Sequence, residues 1–160
     1  MKTRLLFLCT GNSCRSQMAE GWTRHLWPHH FDVWSAGIVK HGLNPHAVRV
    51  MQEVGIDISG QVSTTLSDLA GQVFDLVITV CGHAAETCPR FPGSVKLVHV
   101  GFDDPPKLAL QAHSEEEALG HYRRVREEIR QFIATLPQHP ALSDLRSEER
   151  RVGKECEDLC

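Results

Sequence analysis

No apolar run in this 160-residue chain approaches the length of a membrane-spanning helix, so the chain is expected to stay out of the bilayer. No charge of one sign dominates. The formal net charge of −3 argues against the broad basic surface that binds nucleic acid or anionic lipid. No segment repeats, and no shift of composition separates a second folded unit. Only Met1-Lys2-Thr3-Arg4 precedes the first apolar run, too little for a secretory leader, and a cytoplasmic location is the expectation. In that reducing compartment the six cysteines are not expected to form a static disulfide framework, which leaves catalytic or redox use.

What the chain does contain is 41% apolar and 23% charged residues, a balance that suits one soluble globular domain with a proper core. Its most informative segment is Cys9-Thr10-Gly11-Asn12-Ser13-Cys14-Arg15-Ser16, directly after Leu5-Leu6-Phe7-Leu8. A loop between a strand and a helix turns its backbone N–H groups toward one point, and the helix adds its positive end. A tetrahedral oxyanion such as phosphate or arsenate fits there. The candidate oxyanion-binding residues are Thr10, Gly11, Asn12, Ser13, Cys14, Arg15 and Ser16. The Arg15 guanidinium can clamp two oxygens in a fork. The same field is expected to favour thiolate at Cys9, making it the nucleophile. Gly11 and Asn12 suit the positive-φ positions of a tight loop.

The rest of the chain alternates strand and helix. Lys2–Leu8 reads as a buried parallel strand. The first helix runs from about Ser16 to Leu26, with Met18, Trp22 and Leu26 facing inward. Phe31–Trp34 is a short strand, and Ser35-Ala36-Gly37 turns away from it. Asn44-Pro45 opens a helix as cap and first helical residue, with Ala47, Val48, Met51 and Val54 as its apolar face. A short helix is expected near Ser67–Gly71. Phe74–Val80 and Val95–Val100 read as strands. The last helix opens on a capping box of Ser114 and Glu117. Its core face is Ala118, Tyr122, Val125, Ile129, Phe132 and Leu136. The expected fold is therefore α/β: a single domain over residues 1–140, with about four parallel strands and helices on both faces. Residues 141–160 read as a charged, disordered tail, since nine of the last fifteen positions carry charge. Arg146–Cys156 reads like a translated sequencing adapter, and Cys156 and Cys160 are assigned no function.

In open α/β sheets, sites form beyond the carboxyl ends of the strands. Cys9, Cys81 and Asp104 each follow a strand and should converge. Six residues separate Cys81 from Cys88, wider than the usual spacing of structural zinc cysteines, and no metal site is expected. The pair reads better as a switch. On a helix the two would stand about 10 Å apart by helix rise, whereas a disulfide needs Cα atoms within about 7 Å. Bridging them would make the segment loop or unwind. Asp104, held extended by Pro105, can give a proton to a leaving oxygen.

Taken together, these residues resemble the thioredoxin-coupled arsenate reductases, which share the fold of the low-molecular-weight protein tyrosine phosphatases. The resemblance is carried by CTGNSCRSQMAEGW (9–22), SAG (35–37), HGLNPHA (41–47), VGIDIS (54–59), the Cys81/Cys88-Pro89 pair and GFDDP (101–105). It implies that Cys9 attacks arsenate held by the loop and Arg15 while Asp104 protonates the departing oxygen. It implies too that Cys81 attacks Cys9, and that Cys88 forms the final disulfide, which thioredoxin reduces. Cys14 takes a structural role, and Ser16 hydrogen-bonds the Cys9 thiolate. No tightly bound cofactor is implied, and a monomer is expected. Some relatives bind a monovalent cation through equivalents of Asn12, Glu20 and Ser35. Their further threonine and aspartate ligands fall near Val62 and Thr64 here, which puts potassium in doubt. Two other readings stay open at this point. One is a phosphotyrosine phosphatase, although Pro106 and Lys107 stand where that family usually has tyrosines. The other is a non-catalytic thiol sensor or soft-metal binder built on Cys81, His83 and Cys88.

Overall fold

The computed structural model describes residues 2–82 and 95–143. The expectations placed on Cys88, on His83 and on the last residues of the tail lie outside them. The chain folds as a single α/β domain: β1 (Thr3–Cys9), α1 (Arg15–Leu26), β2 (Phe31–Gly37), α2 (Pro45–Glu53), β3 (Leu76–Thr79), β4 (Lys96–His99), α3 (Pro105–Ala109) and α4 (Glu115–Ala134). Short 3-10 turns cover Ser67–Leu69 and Leu136–Gln138. The four strands form one parallel sheet in the order β2-β1-β3-β4. Among the described residues no helix is long and apolar enough to cross a membrane.

Burial explains this order. β1 lies inside the sheet, and Leu5, Leu6, Phe7 and Leu8 are all fully buried. Successive side chains on a strand point to opposite faces, so both faces of β1 are covered. Each such side chain contributes roughly 1.5–3 kcal/mol relative to leaving it in water. β4 sits at the edge, and its side chains are alternately half-buried and exposed. Helix α4 packs on α1, α2 and α3. The indole N–H groups of Trp22 on α1 and of Trp27, which caps its C-terminus, donate to the carbonyls of Arg126 and Ile133 at 3.2 and 2.8 Å.

Several local expectations need correction. Ser35-Ala36-Gly37 does not turn away. It continues β2, pairing with Phe7, Leu8 and Cys9. Its residues are small because another segment lies against them, and a Cβ on Gly37 would come within 2.7 Å of Asn12 N and 2.8 Å of Gly11 C. Helix α2 buries Val50 beside Ala47 and Met51, while Val48 and Val54 are only partly buried. On α4, Leu119 and Ile133 enter the core and Phe132 packs at its margin. Ser114 accepts from Glu117 N as expected, but Glu117 reaches past it to His113 N. The turn of helix at Pro105–Ala109 has too few residues to show a period in sequence. Proline at its first position supplies the helical φ and needs no N–H partner there.

Candidate active site

The loop from Cys9 to Cys14 leaves the carboxyl end of β1 and enters α1. Its shape is set by residues 38–44, which run beside it. Ile38 N, Val39 N, His41 N and Asn44 N donate in turn to the carbonyls of Cys9, Thr10, Gly11 and Ser13 at 3.0–3.3 Å. With the carbonyls held outward, the N–H groups of Gly11, Asn12, Ser13 and Cys14 have no acceptor among the described residues. They are the donors of an anion nest. A cavity of about 270 Å³ opens above the loop, lined by Cys9, Thr10, Gly11, Ser13, Cys14, Arg15, His41, Asn44, Asp104 and Pro106.

Arg15 ties the loop to the segment after β4. One guanidinium nitrogen donates to Phe102 O at 3.0 Å, and another lies 3.7 Å from Asp104 Oδ2. The Asp104 carboxylate is 41% exposed, so this pair is worth at most about 1 kcal/mol and can give way to an incoming anion. Asp103, beside it, turns away and pairs with Arg124 at 2.9 Å. The geometry thus separates two adjacent aspartates that the sequence could not rank by chemistry alone.

Cys81 stands where β3 delivers it, buried against the loop. Its Sγ lies 3.1 Å from Thr10 Oγ1, and it is the strongest single influence on the Cys9 thiol. Cys9 and Cys14 are free thiols. The contact corrects one expectation. As acceptor of the Cys9 S–H, Cys81 pushes the Cys9 thiol well above its ordinary pKa, and burial adds to it. Arg15 and the Thr10 N–H act in the opposite direction but are outweighed. Burial also pushes Cys14 up, against the field of Arg15.

Asn12 and Ser16 lie beneath the loop, fully buried and away from the cavity lining. Asn12 alone takes positive φ, at 48°. Gly11 is small for a different reason: a Cβ there would fall 2.2 Å from His41 Nδ1. The Asn12 amide donates to Ser16 Oγ and Ser35 Oγ, both at 2.9 Å. Its oxygen accepts from Gln17 Nε2 at 3.0 Å and Thr64 N at 2.6 Å. Ser35 then donates to Glu20 Oε1 at 2.8 Å, and Glu20 Oε2 lies 3.3 Å from Arg24 Nε.

The residues expected to hold a monovalent cation therefore come together, but they do not fit one. Both acceptor positions on the Asn12 oxygen are filled. The Ser35 hydroxyl and the Arg24 guanidinium cover the two Glu20 oxygens. Val62 brings no ligating side chain, and its carbonyl already accepts from Gln17 and Thr64.

Sequence reasoning missed His41 and Asn44 as cavity residues. Asn44 was read only as a cap, and it does cap α2, accepting from His46 N and Ala47 N at 2.8 and 3.2 Å. Its amide also donates to Tyr122 Oη at 3.1 Å, fixing it from α4.

The whole arrangement matches the model of the low molecular weight phosphotyrosine protein phosphatases over residues 4–139. This chain belongs to that family. An arsenate reductase of Halalkalibacterium halodurans is 51% identical over 137 residues, 86% of this chain and 96% of that protein. Another, of Bacillus subtilis, is 54% identical over 126 residues, 78% of this chain and 88% of that protein. A solved structure of an arsenate reductase in the oxidized state aligns with a TM-score of 0.70 at 32% identity, covering 85% of this chain and 96% of that one.

Proposed function

We propose that this family member reduces arsenate to arsenite through three of its cysteines, with thioredoxin as the final electron donor. The observation that supports it most is the second buried thiol that β3 brings to the loop: Cys81, 4% exposed, with its Sγ 3.1 Å from Thr10 Oγ1. A phosphatase needs one nucleophile, an anion nest and an acid; it has no use for a second buried thiol against the first. The high identity to arsenate reductases agrees.

In this reading the nest N–H groups and Arg15 hold the oxyanion over Cys9. Cys9 Sγ attacks arsenic, an S–As bond forms, and an As–O bond breaks as Asp104 gives its proton to the leaving oxygen. The Cys9 proton must leave for attack to occur. In this reading that proton passes to an oxygen of the bound arsenate as Cys9 attacks, and Ser16 donates to the resulting thiolate.

Cys81 then attacks Cys9 sulfur. The S–As electron pair passes to arsenic, which goes from As(V) to As(III) and leaves as arsenite, while a Cys9–Cys81 disulfide forms. Cys88 thiolate attacks Cys81 sulfur and releases Cys9, and a dithiol of the thioredoxin type reduces the Cys81–Cys88 bond. Each exchange depends on thiolate character and access.

The test is arsenate-dependent NADPH oxidation with thioredoxin and its reductase, beside hydrolysis of a phosphotyrosine mimic. The proposal expects turnover in the first assay and little in the second. It also expects Cys88→Ser to release one arsenite per enzyme and then stop. Sustained turnover by Cys88→Ser, or hydrolysis without reduction, overturns it.

A further inference from the structure

The underside of the anion loop carries a charge pair that the chemistry above does not use. Glu20 is 7% exposed, and burial raises its carboxyl above the ordinary range. A carboxylate in that position needs a cation or a proton. Arg24, one helical turn further along α1, supplies the cation: Nε lies 3.3 Å from Glu20 Oε2, and Nη2 donates to Val33 O at 3.1 Å. Held at two points, the guanidinium is a fixed part of the wall between α1 and β2. From Glu20 the hydrogen bonds run without a gap through Ser35 to Asn12, among the described residues the one non-glycine with positive φ. Asn12 sits in the middle of the nest.

We infer that Arg24 is a positioning residue for oxyanion binding, a surface cation, 60% exposed, that pairs with the buried Glu20 and keeps the Glu20–Ser35–Asn12 chain in the geometry that aims the loop N–H groups at the anion. With both Glu20 oxygens and the Asn12 amide oxygen already engaged, these residues do not fit a bound monovalent cation. Few other charges bear on Glu20 here. Asp57 lines the same cavity beside Gln61, Val62 and Thr64, and its carboxylate is turned to Ser59.

This inference rests on the oxyanion-binding part of the proposed function but not on the thiol relay. The experiment therefore measures binding rather than turnover. Arsenate and inorganic phosphate affinities of the full chain are determined by calorimetry, in sodium and in potassium buffers of equal ionic strength, with folding checked by circular dichroism. The wild type is expected to bind equally in both buffers. Arg24→Gln is expected to weaken binding by about tenfold or more, since a small misplacement of positioning groups is costly. Millimolar guanidinium, against equal sodium chloride, is expected to recover part of the loss, and Arg24→Lys to retain most of the affinity. Arg49→Gln, which removes an exposed pair with Glu115, should bind as wild type does. Unchanged affinity in a folded Arg24→Gln overturns the inference, as does a saturable gain of affinity by the wild type in potassium. Should Arg24→Gln fail to fold, Arg24→Lys decides: a tenfold loss in that variant counts against the inference.

Discussion

The two sides of one short loop are built on opposite rules. Above it, toward the cavity, N–H groups have no acceptor, a thiol is buried beside a second thiol, and Arg15 makes only a long contact with Asp104. Below it, Asn12, Ser16, Gln17, Ser35, Glu20 and Arg24 are each hydrogen-bonded or paired. Among the described residues no buried side-chain nitrogen or oxygen lacks a partner. The lower side, being satisfied, holds the loop N–H groups aimed at the cavity, where water or an incoming anion accepts from them. The lesson is that a receptive anion nest rests on a closed polar network.

Substitutions on the two sides should accordingly fail in different ways. The largest effect belongs to the upper side. Cys9→Ser should abolish arsenate reduction and phosphatase activity while leaving the unfolding midpoint near that of wild type. Residual turnover would mean that another group is the nucleophile. Asp104→Asn should slow arsenite release by something on the order of 10²–10⁴-fold, with arsenate affinity almost unchanged, as single-turnover rates and equilibrium binding would show. An equal loss of affinity would reassign Asp104 to holding Arg15.

On the lower side, Asn12→Ala strands buried groups on Gln17 and Thr64 and puts alanine at positive φ. It should cost roughly 1–3 kcal/mol of stability in urea unfolding, with binding weakened in the fraction that folds. A variant that lost binding at full stability would blur the distinction between the two sides. The smallest effect concerns the thiol contact. Cys81 is the leading cause of the raised Cys9 pKa, so Cys81→Ala should move the pH profile of Cys9 alkylation downward, by about tenfold in rate at fixed pH for each unit moved. A profile that stayed in place or rose would leave burial as the governing cause.

Much of this was legible in the sequence because it is local. The strand-loop-helix at residues 3–26 announces itself through an apolar run, a helical period and an Asn in between. Cys9, Arg15, Cys81 and Asp104 could be brought together because parallel strands deliver their carboxyl ends to one edge. Long-range pairing was less visible. The donors from Ile38 to Asn44 that set the loop, and His41 against Gly11, meet it across some thirty residues with no period to betray them. Ser35-Ala36-Gly37 looked like a turn because its small residues answer a close approach that only the fold reveals. The influences on Cys9 divide in the same way: the motif displays the lowering field of Arg15, whereas the opposing thiol of Cys81 comes from another strand.

The contact between Cys9 and Cys81 is the centre of this account. Its most direct test is non-reducing peptide mapping by mass spectrometry after one exposure of Cys88→Ser to arsenate. The account predicts a Cys9–Cys81 disulfide formed in step with the arsenite released. Arsenite release with both of these thiols still free would contradict it.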